Sequence, residues 1–334
     1  MRPDILIVGQ GLAGTLLAWE LERAGIRFAI LDAGHATAAT RAAAGVINPI
    51  TGRRLVKNWR YEAFFPAARL AYIELEEALG VPLWRELRIR RLFADERERA
   101  MGAEKADRAE LAAYIETADE HGWWIRGAAR VDLGSLLAAA RARWLSAGTL
   151  RAGPAEIDCE MNRHDMVIDC RGVAGAESGW FDFVPWEYSR GELLELDVSG
   201  LEADVMLNRR HWVLPLGPGA ALAGATHEPG VRDVRPSPGG RDAIETAARE
   251  ILGPNRPFHV TGQRAGIRVN LPDKRPLVGR HLTNPRIGLV NGLGAKGALW
   301  APMLAHQWVR HLTGSAPFDS EIDVRRFSIR RASV

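Results

Sequence analysis

A glycine-rich turn near the start of the chain constrains the fold more than any other feature of the sequence. Gly9-Gln10-Gly11-Leu12-Ala13-Gly14 stands between the short apolar run Asp4–Val8 and a helical pattern over Leu12–Ala24. In this GxGxxG pattern the first glycine permits a tight turn, the second lets the backbone approach a pyrophosphate, and the third lets helix and strand pack closely. The pattern predicts a dinucleotide site on a parallel βαβ unit. The backbone N–H groups of Gly11, Leu12, Ala13 and Gly14 would bind the phosphates.

An acidic residue follows at the expected distance. Asp32 ends the second apolar run, Arg27–Asp32, eighteen residues after Gly14. A carboxylate at this place can accept hydrogen bonds from an adenosine ribose. A helix cap or a solvated strand end would have the same appearance in the sequence. These features together do not distinguish FAD from NAD.

A second glycine-rich turn lies near the other end of the chain, at Asn291-Gly292-Leu293-Gly294-Ala295-Lys296-Gly297. It follows the predicted strand Ile287–Asn291 and precedes the predicted helix Ala298–Leu312. A reduced flavin gathers negative charge on its ring, and a helix N-terminus with a nearby cation stabilises that charge. We therefore expect Gly292, Gly294, Ala295 and Gly297 to line a flavin site, with Lys296 as the cation. The alternative is a glycine-rich helix start with a solvated lysine.

The middle of the chain has a different pattern. The runs Glu192–Leu196, His211–Leu216 and Ala220–Ala225 are short and separated by turns, which is typical of an antiparallel sheet. We predict an α/β fold, α+β overall, in which a Rossmann-type domain is interleaved with an antiparallel-sheet substrate domain. The predicted bounds are 1–60, 125–185 and 266–334 for the first domain, and 61–124 and 186–265 for the second. Helices are expected over Ala63–Leu79, Leu133–Ala147 and Gly239–Leu252, a strand over Met166–Cys170, and a loop over Ala36–Gly45.

Composition narrows the class of protein. The 334 residues carry a net charge of only +3, which is too little to indicate nucleic-acid binding by itself. No run of eighteen apolar residues predicts a membrane span, and the first apolar run is too short for a signal peptide. We therefore expect a cytoplasmic enzyme. The nine histidines have no ligand spacing, so no metal site is expected. Both cysteines, Cys159 and Cys170, are expected to be buried and inert.

The sequence resembles the D-amino-acid oxidase and glycine oxidase family of FAD-dependent oxidoreductases over nearly its whole length. Besides the two glycine turns, the matching segments are Ala43–Pro49, Arg130–Asp132, Val167–Gly172, Arg190–Glu192, Gly224–Glu228 and Gly266–Arg268 with Asp273, Pro276 and Gly279. The order of these segments is the specific part of the resemblance. The chain departs from the family at Val269, where proline is usual, and at Lys296, where arginine is common.

The resemblance implies FAD as cofactor and hydride transfer to flavin N5 from a carbon that bears nitrogen. It implies that Ala44, Gly45, Val46 and Ile47 pass beside the flavin ring and that Gly172 returns to the cofactor.

It also suggests two catalytic candidates. Arg268 would hold the carboxylate of a small amine or amino-acid substrate, because a planar guanidinium donates two parallel hydrogen bonds. A structural arginine that pairs with Asp273 or a backbone carbonyl is the alternative. Asn48 would hydrogen-bond the ring or the substrate, or else form a turn before Pro49.

Three other functions stay open at this point. A tRNA wobble-uridine oxidase of the same family would use the basic cluster Arg53, Arg54, Lys57 and Arg60, although a solvated segment explains these charges better. An NAD-dependent dehydrogenase would need only the first glycine turn. A flavin-binding scaffold would bind the cofactor without turnover. The oligomeric state is not predicted.

Overall fold

The computed structural model describes residues 5–34 and 38–333, with side chains up to Ser328. Asp4 of the first predicted strand and residues 36 and 37 of the predicted loop lie outside this range. The helices are α1 Leu12–Arg23, α2 Ala39–Ala42, α3 Tyr61–Leu79, α4 Glu96–Lys105, α5 Ala109–Ala112, α6 Leu133–Ser146, α7 Ile157–Met161, α8 Val173–Ala176, α9 Pro238–Leu252 and α10 Gly297–Leu312, and a 3-10 helix spans Val324–Ser333.

The strands run through the whole described chain. They are β1 Ile5–Val8, β2 Phe28–Asp32, β3 Val46–Ile47, β4 Ile50–Thr51, β5 Val56–Lys57, β6 Trp84–Leu92, β7 Ile115–Asp119, β8 Gly122–Val131, β9 Leu150–Ala152, β10 Met166–Asp169, β11 Glu187–Asp197, β12 Val205–Arg209, β13 His211–Gly217, β14 Ala220–Gly224, β15 Glu228–Pro229, β16 His259–Asn270, β17 Leu277–Arg280 and β18 Ile287–Asn291.

A six-stranded sheet has the order β17-β18-β10-β1-β2-β9. All neighbours are parallel except β17, which runs antiparallel to β18. The central strands are buried on both faces, as expected for a parallel sheet covered on both sides. Helices α1, α3, α6 and α10 contribute to one hydrophobic core with this sheet. A second hydrophobic core, which includes Phe181 and Phe327, is formed with other residues of the same strands.

A ten-stranded sheet forms the other half of the molecule. Its main path is β15-β11-β14-β13-β12-β6-β8-β3, with β16 paired to β11 and β7 paired to β8. Every pairing is antiparallel except that of β12 with β6. Helix α9 packs its apolar side on β11, β13 and β14. Strand β3 brings the segment after residue 45 into this sheet, and after β16 the chain returns to the six-stranded sheet as β17.

The predicted fold class is confirmed, with small differences at the ends of elements. The segment predicted as a loop over Ala36–Gly45 contains the short helix α2, and strand β10 ends at Asp169. Cys170 is buried as expected, but the expectation for Cys159 was wrong, because this residue is exposed. Helix α3, predicted for the substrate domain, packs on α10. The domain bounds themselves stay a prediction. None of the helices in the described segments is long and apolar enough to cross a membrane.

Candidate functional site

Three neighbouring parallel strands end at the same edge of the six-stranded sheet. The turns after β1, β10 and β18 all lie there, because these strands are adjacent and parallel. A Cβ atom at Gly9 would lie 3.1 Å from the backbone of Arg171. The Asn291 side chain donates a hydrogen bond of 2.8 Å from Nδ2 to the carbonyl of Gly172. The structure thus brings Gly9, Gly172 and Gly292 to one edge, where ligands bind in open α/β sheets.

The first helix start has free backbone donors. Helix α1 has Gly11 as N-cap without a side-chain cap, and Leu12 N donates to Thr40 Oγ1 at 3.2 Å. The N–H groups of Gly11, Ala13 and Gly14 find no hydrogen-bond acceptor in the described parts of the chain. A Cβ atom at Gly14 would overlap the carbonyl oxygen of Gly9, so only glycine permits this close approach of helix and turn. The arrangement matches a phosphate-binding helix N-terminus.

The second helix start lies directly beside the first. Leu12, the first residue of α1, places its Cδ2 atom 3.2 Å from where a Cβ of Gly297, the first residue of α10, would be. Both helices follow strands that run the same way in the sheet, so both positive ends point toward the same edge. Gly294 N is bonded to Val269 O at 3.0 Å, which ties this turn to strand β16. One ligand can therefore contact both glycine turns.

Lys296 is the N-cap residue of α10. Its Nζ atom lies 5.3 Å from the centre of the Trp300 ring, and no carboxylate of the described chain pairs with it. Burial lowers the pKa of its ammonium group. A half-desolvated cation without a counter-ion at a helix N-terminus makes this position strongly electropositive.

Asp32 lies behind the first glycine turn, and its Oδ2 atom accepts two hydrogen bonds. Its Oδ1 accepts from Gln10 N at 2.8 Å, and its Oδ2 accepts from Gly34 N at 2.8 Å and from Arg141 Nη1 at 2.7 Å. The carboxylate is therefore held against the backbone of the turn it was predicted to serve. Arg141 had no signal in the sequence, because nothing in the spacing of helix α6 relates it to Asp32.

The segment 44–47 lies against strand β8, and its last two residues are extended. Gly45 has a φ of 74°, and its carbonyl accepts from Val131 N at 2.9 Å. A Cβ atom there would overlap the Val131 carbonyl oxygen, which explains the glycine. Val46 and Ile47 then pair with β8 as strand β3, and Ala44 packs partly buried on the core of the large sheet.

Asn48 forms the turn that was considered as its alternative role. Its Oδ1 accepts from Ile50 N at 3.0 Å, and its carbonyl accepts from Asn58 Nδ2 at 2.6 Å. The Asn48 side-chain NH₂ group has no acceptor within the described residues and stays available to a ligand. Its catalytic role stays a prediction.

Arg268 lies on strand β16 and has no carboxylate partner in the described chain. Asp273, the partner considered from the sequence, pairs with Arg326 at 3.0 Å instead. Arg268 Nη1 donates to Thr226 O at 3.2 Å and to Arg190 O at 3.4 Å. Burial lowers the pKa of this guanidinium. The group is thus anchored through one nitrogen by neutral carbonyls and keeps its full positive charge unpaired.

Gly191 makes room for this guanidinium. It pairs with Gly266 in the ladder of β11 and β16, and a Cβ atom at Gly191 would overlap the Arg268 guanidinium. The arginine therefore lies flat across the backbone of β11. The Arg190-Gly191 pair was noted in the sequence as a family resemblance, but its role in packing Arg268 was not apparent there.

Two residues near Arg268 received no role from the sequence. Ser189 is its partner in the β11–β16 ladder, so both side chains lie on one face of the sheet. His227 follows the carbonyl of Thr226 that anchors Arg268. Burial, followed by the charges of Arg268 and Lys274, lowers the pKa of His227.

The residues present fit a flavin dinucleotide. Free N–H donors at α1 suit a pyrophosphate, the Asp32 carboxylate suits a ribose, and Lys296 with the start of α10 suits the anionic side of a reduced ring. No group of three His, Cys, Asp or Glu side chains that could hold a metal occurs in the described segments.

Comparisons with known proteins agree with this geometry. The chain is 29% identical over 337 residues to the tRNA 5-methylaminomethyl-2-thiouridine biosynthesis bifunctional protein of Maricaulis maris, covering 94% of this chain and 52% of that protein. It therefore spans about half the length of that relative. It is 26% identical to the glycine oxidase of Bacillus licheniformis, covering 94% of each chain.

Solved structures show the same fold. The glycine oxidase of Geobacillus kaustophilus superposes with a TM-score of 0.74 at 21% identity, covering 96% of this chain and 97% of that one. The iminodiacetate oxidase of Chelativorans sp. BNC1 superposes with a TM-score of 0.73 at 21% identity, covering 94% and 96%. The model of the DAO family, described as FAD dependent oxidoreductase, matches residues 4–310. The chain therefore belongs to the DAO family and is an FAD-dependent oxidoreductase.

Proposed function

We propose that this enzyme oxidises the C–N bond of a small amine or amino acid that carries a carboxylate. The observation that carries the proposal is the unpaired guanidinium of Arg268, which is partly buried against neutral carbonyl groups on the face of the large sheet. A buried cation without a counter-ion is costly, and binding an anionic ligand removes that cost. A substrate carboxylate fits, because the remaining guanidinium nitrogens can donate two parallel hydrogen bonds.

The protein's own contribution is positioning and charge. Arg268 would fix the carboxylate, Asn48 would offer its free NH₂ group, and Lys296 with the start of α10 would stabilise negative charge that develops on the cofactor. When bound, FAD supplies the acceptor for the hydride that leaves the carbon next to nitrogen. The imine product then adds water and releases the carbonyl compound and the amine.

The names of the relatives support a small substrate with a carboxylate. One relative is a glycine oxidase, and one structural neighbour is an iminodiacetate oxidase.

The proposal is tested by mixing the purified yellow protein with candidate substrates in the absence of oxygen. The panel is glycine, sarcosine, D-amino acids, proline and carboxymethylaminomethyl-uridine. We expect at least one of them to bleach the flavin absorbance, because the two electrons have no other acceptor. A flavin that stays oxidised with every member of the panel contradicts the proposal.

A second candidate is oxidation of a modified uridine in tRNA, which the Maricaulis maris relative favours. The chain carries exposed Arg53 and Arg54 at the end of the hairpin formed by β4 and β5. The other two residues of the predicted basic cluster are already paired, Lys57 with Glu62 and Arg60 with Asp319. Only half of the cluster is therefore free to bind phosphates.

Binding of bulk tRNA to the purified protein tests this candidate. Phosphate contacts predict retention at low salt that falls steeply as salt is raised. No retention at low salt removes tRNA as the substrate and leaves the small-amine proposal intact.

A further inference from the structure

A cluster of three side chains lies behind the first glycine turn, and we name it the Arg141 cluster. It consists of Arg141, Asp32 and Gln10. Arg141 Nη1 bridges the other two, at 2.7 Å from Asp32 Oδ2 and 3.1 Å from Gln10 Oε1. The side chains of Arg141 and Asp32 are only 21% and 13% exposed, so water screens their charges weakly. Arg141 is the cation that pairs with Asp32 among the described residues.

Helix α6 carries Arg141 to this place. Asp132 caps α6 by accepting from Ser135 N at 3.1 Å. Gln10 Nε2 donates to the carbonyl of Leu137 at 3.0 Å, one turn before Arg141 on the same helix. Gln10 is buried and its own N–H donates to Asp32, so the glycine turn and α6 are joined at two points. The cluster therefore lies on the side of α6 that faces the first glycine turn rather than on its exposed side.

The hydrogen bonds leave one defined acceptor position on Asp32. An ionised carboxylate has about four lone-pair positions. Among the described residues, Gly34 N and Arg141 fill Oδ2, whereas Oδ1 receives only Gln10 N. The open position is therefore on Oδ1, on the side of the glycine turn where an adenosine ribose would lie.

We propose that Arg141 is a positioning residue for the adenosine diphosphate part of the cofactor. It fixes the Asp32 carboxylate so that Oδ1 faces the ribose, and it cancels the charge of Asp32. Without this cancellation a full negative charge would lie beside the N–H groups of α1, where the doubly charged pyrophosphate binds. This proposal concerns cofactor binding alone and does not depend on which substrate is oxidised.

Ligand binding to the apoprotein tests the proposal. FAD, ADP and FMN are titrated by calorimetry into the wild type, Arg141→Met and the control Arg143→Met. Arg143 lies on the same helix but pairs with Glu22 at the exposed surface. We expect Arg141→Met to raise the dissociation constants of FAD and ADP by about tenfold to a hundredfold, which corresponds to one charge-assisted hydrogen bond. The FMN constant rises much less, because FMN keeps one phosphate but lacks the ribose that Asp32 would bind.

Two further variants separate this role from a purely structural one. Arg141→Lys keeps a charged donor at the bridging position and restores FAD binding to within about threefold of the wild type. In an Asp32→Asn protein the charge to be cancelled is absent, so adding Arg141→Met weakens ADP binding much less than in the wild type.

The outcomes that overturn the proposal are equally distinct. They are unchanged FAD and ADP binding in Arg141→Met, an equal loss for FAD and FMN, or an undiminished effect of Arg141→Met in the Asp32→Asn protein. Should Arg141→Met fail to fold by circular dichroism, Arg141→Gln replaces it with the same expected and contradicting results.

Discussion

The positive charge available in the proposed substrate site depends on the neighbours of single residues. Arg268 keeps its charge unpaired because its neighbours are carbonyls and not carboxylates, whereas Arg190, one strand away, is neutralised by Glu228 through two hydrogen bonds of 3.1 and 2.7 Å. The resemblance to a family singled out Arg268. The environment that separates the two arginines is visible only in the structure, because it depends on pairings between distant strands.

Replacing Arg268 by alanine should weaken substrate binding far more than cofactor binding. The change removes two charge-assisted hydrogen bonds to the substrate carboxylate, so we expect KM to rise about a hundredfold. The ratio of flavin to protein absorbance should stay that of the wild type. Steady-state kinetics with the best substrate of the panel measures the effect. Arg264→Ala is the control, since Arg264 lies on the same strand and pairs with Glu195. An unchanged KM in Arg268→Ala would remove the assignment.

Adding one methyl group at residue 191 should raise KM in a similar way, although the arginine itself is not replaced. A Cβ at Gly191 would overlap the Arg268 guanidinium, so Gly191→Ala should displace it and raise KM by about tenfold or more. Gly217→Ala is the matched control, because Gly217 ends a strand of the same sheet and a Cβ there meets nothing within 4 Å. Equal KM values for the two variants would show that the flat packing of Arg268 is not needed.

Helices and strands that are determined by local sequence signals were predicted close to their observed bounds. Strand β18, helix α1 and helix α10 appear within a few residues of their predicted bounds, because glycine turns and apolar periodicity are local signals. Strand β16 was not predicted at its length of twelve residues, and the parallel pairing of β12 with β6 was not predicted at all. The paired residues of β12 and β6 are 117 positions apart in the chain, and those of β16 and β11 are 62 to 83 positions apart. No local pattern contains contacts at such separations.

The start of helix α10 should tune the reduction potential of the flavin. Lys296→Met removes the cation that stabilises the reduced ring, so the two-electron potential should become more negative by about 30–60 mV near pH 7. Burial lowers the pKa of Lys296, so this side chain loses its charge at a lower pH than an ordinary lysine does. As the pH is raised, the potential of the wild type should therefore fall to that of Lys296→Met before an ordinary lysine would deprotonate. Potentials measured against reference dyes from pH 7 to 10 test both statements. Lys105→Met is the control, and equal potentials for Lys296→Met and wild type would contradict the role.

The whole molecule is one interleaved structure, since the chain passes between the two sheets several times. Segment 46–47 and segment 122–131 belong to the large sheet, although residues before and after them build the other sheet. The site predicted from the sequence is therefore built from segments that lie far apart along the chain. The glycine turns could be predicted singly, but their contact through Leu12 and Gly297 could not.

This interleaving predicts cooperative unfolding. We expect a single calorimetric transition for both sheets, shifted to higher temperature by added FAD, because a ligand that binds only the folded state stabilises everything that unfolds with its site. Tryptophan fluorescence and flavin release should share one midpoint. Two separate transitions, of which only one responds to FAD, would show that the sheets unfold independently.

The hydrogen bond from Asn291 to Gly172 has a consequence for how the enzyme is made. The strand ends that form the cofactor edge come from residues 8, 169 and 291, so the edge is incomplete until the segment around residue 291 has left the ribosome. A nascent chain cannot capture FAD early and use it as a nucleus for folding. Cofactor loading therefore follows the synthesis of the second glycine turn, and cells short of flavin should accumulate protein in which the two glycine turns have no ligand between them.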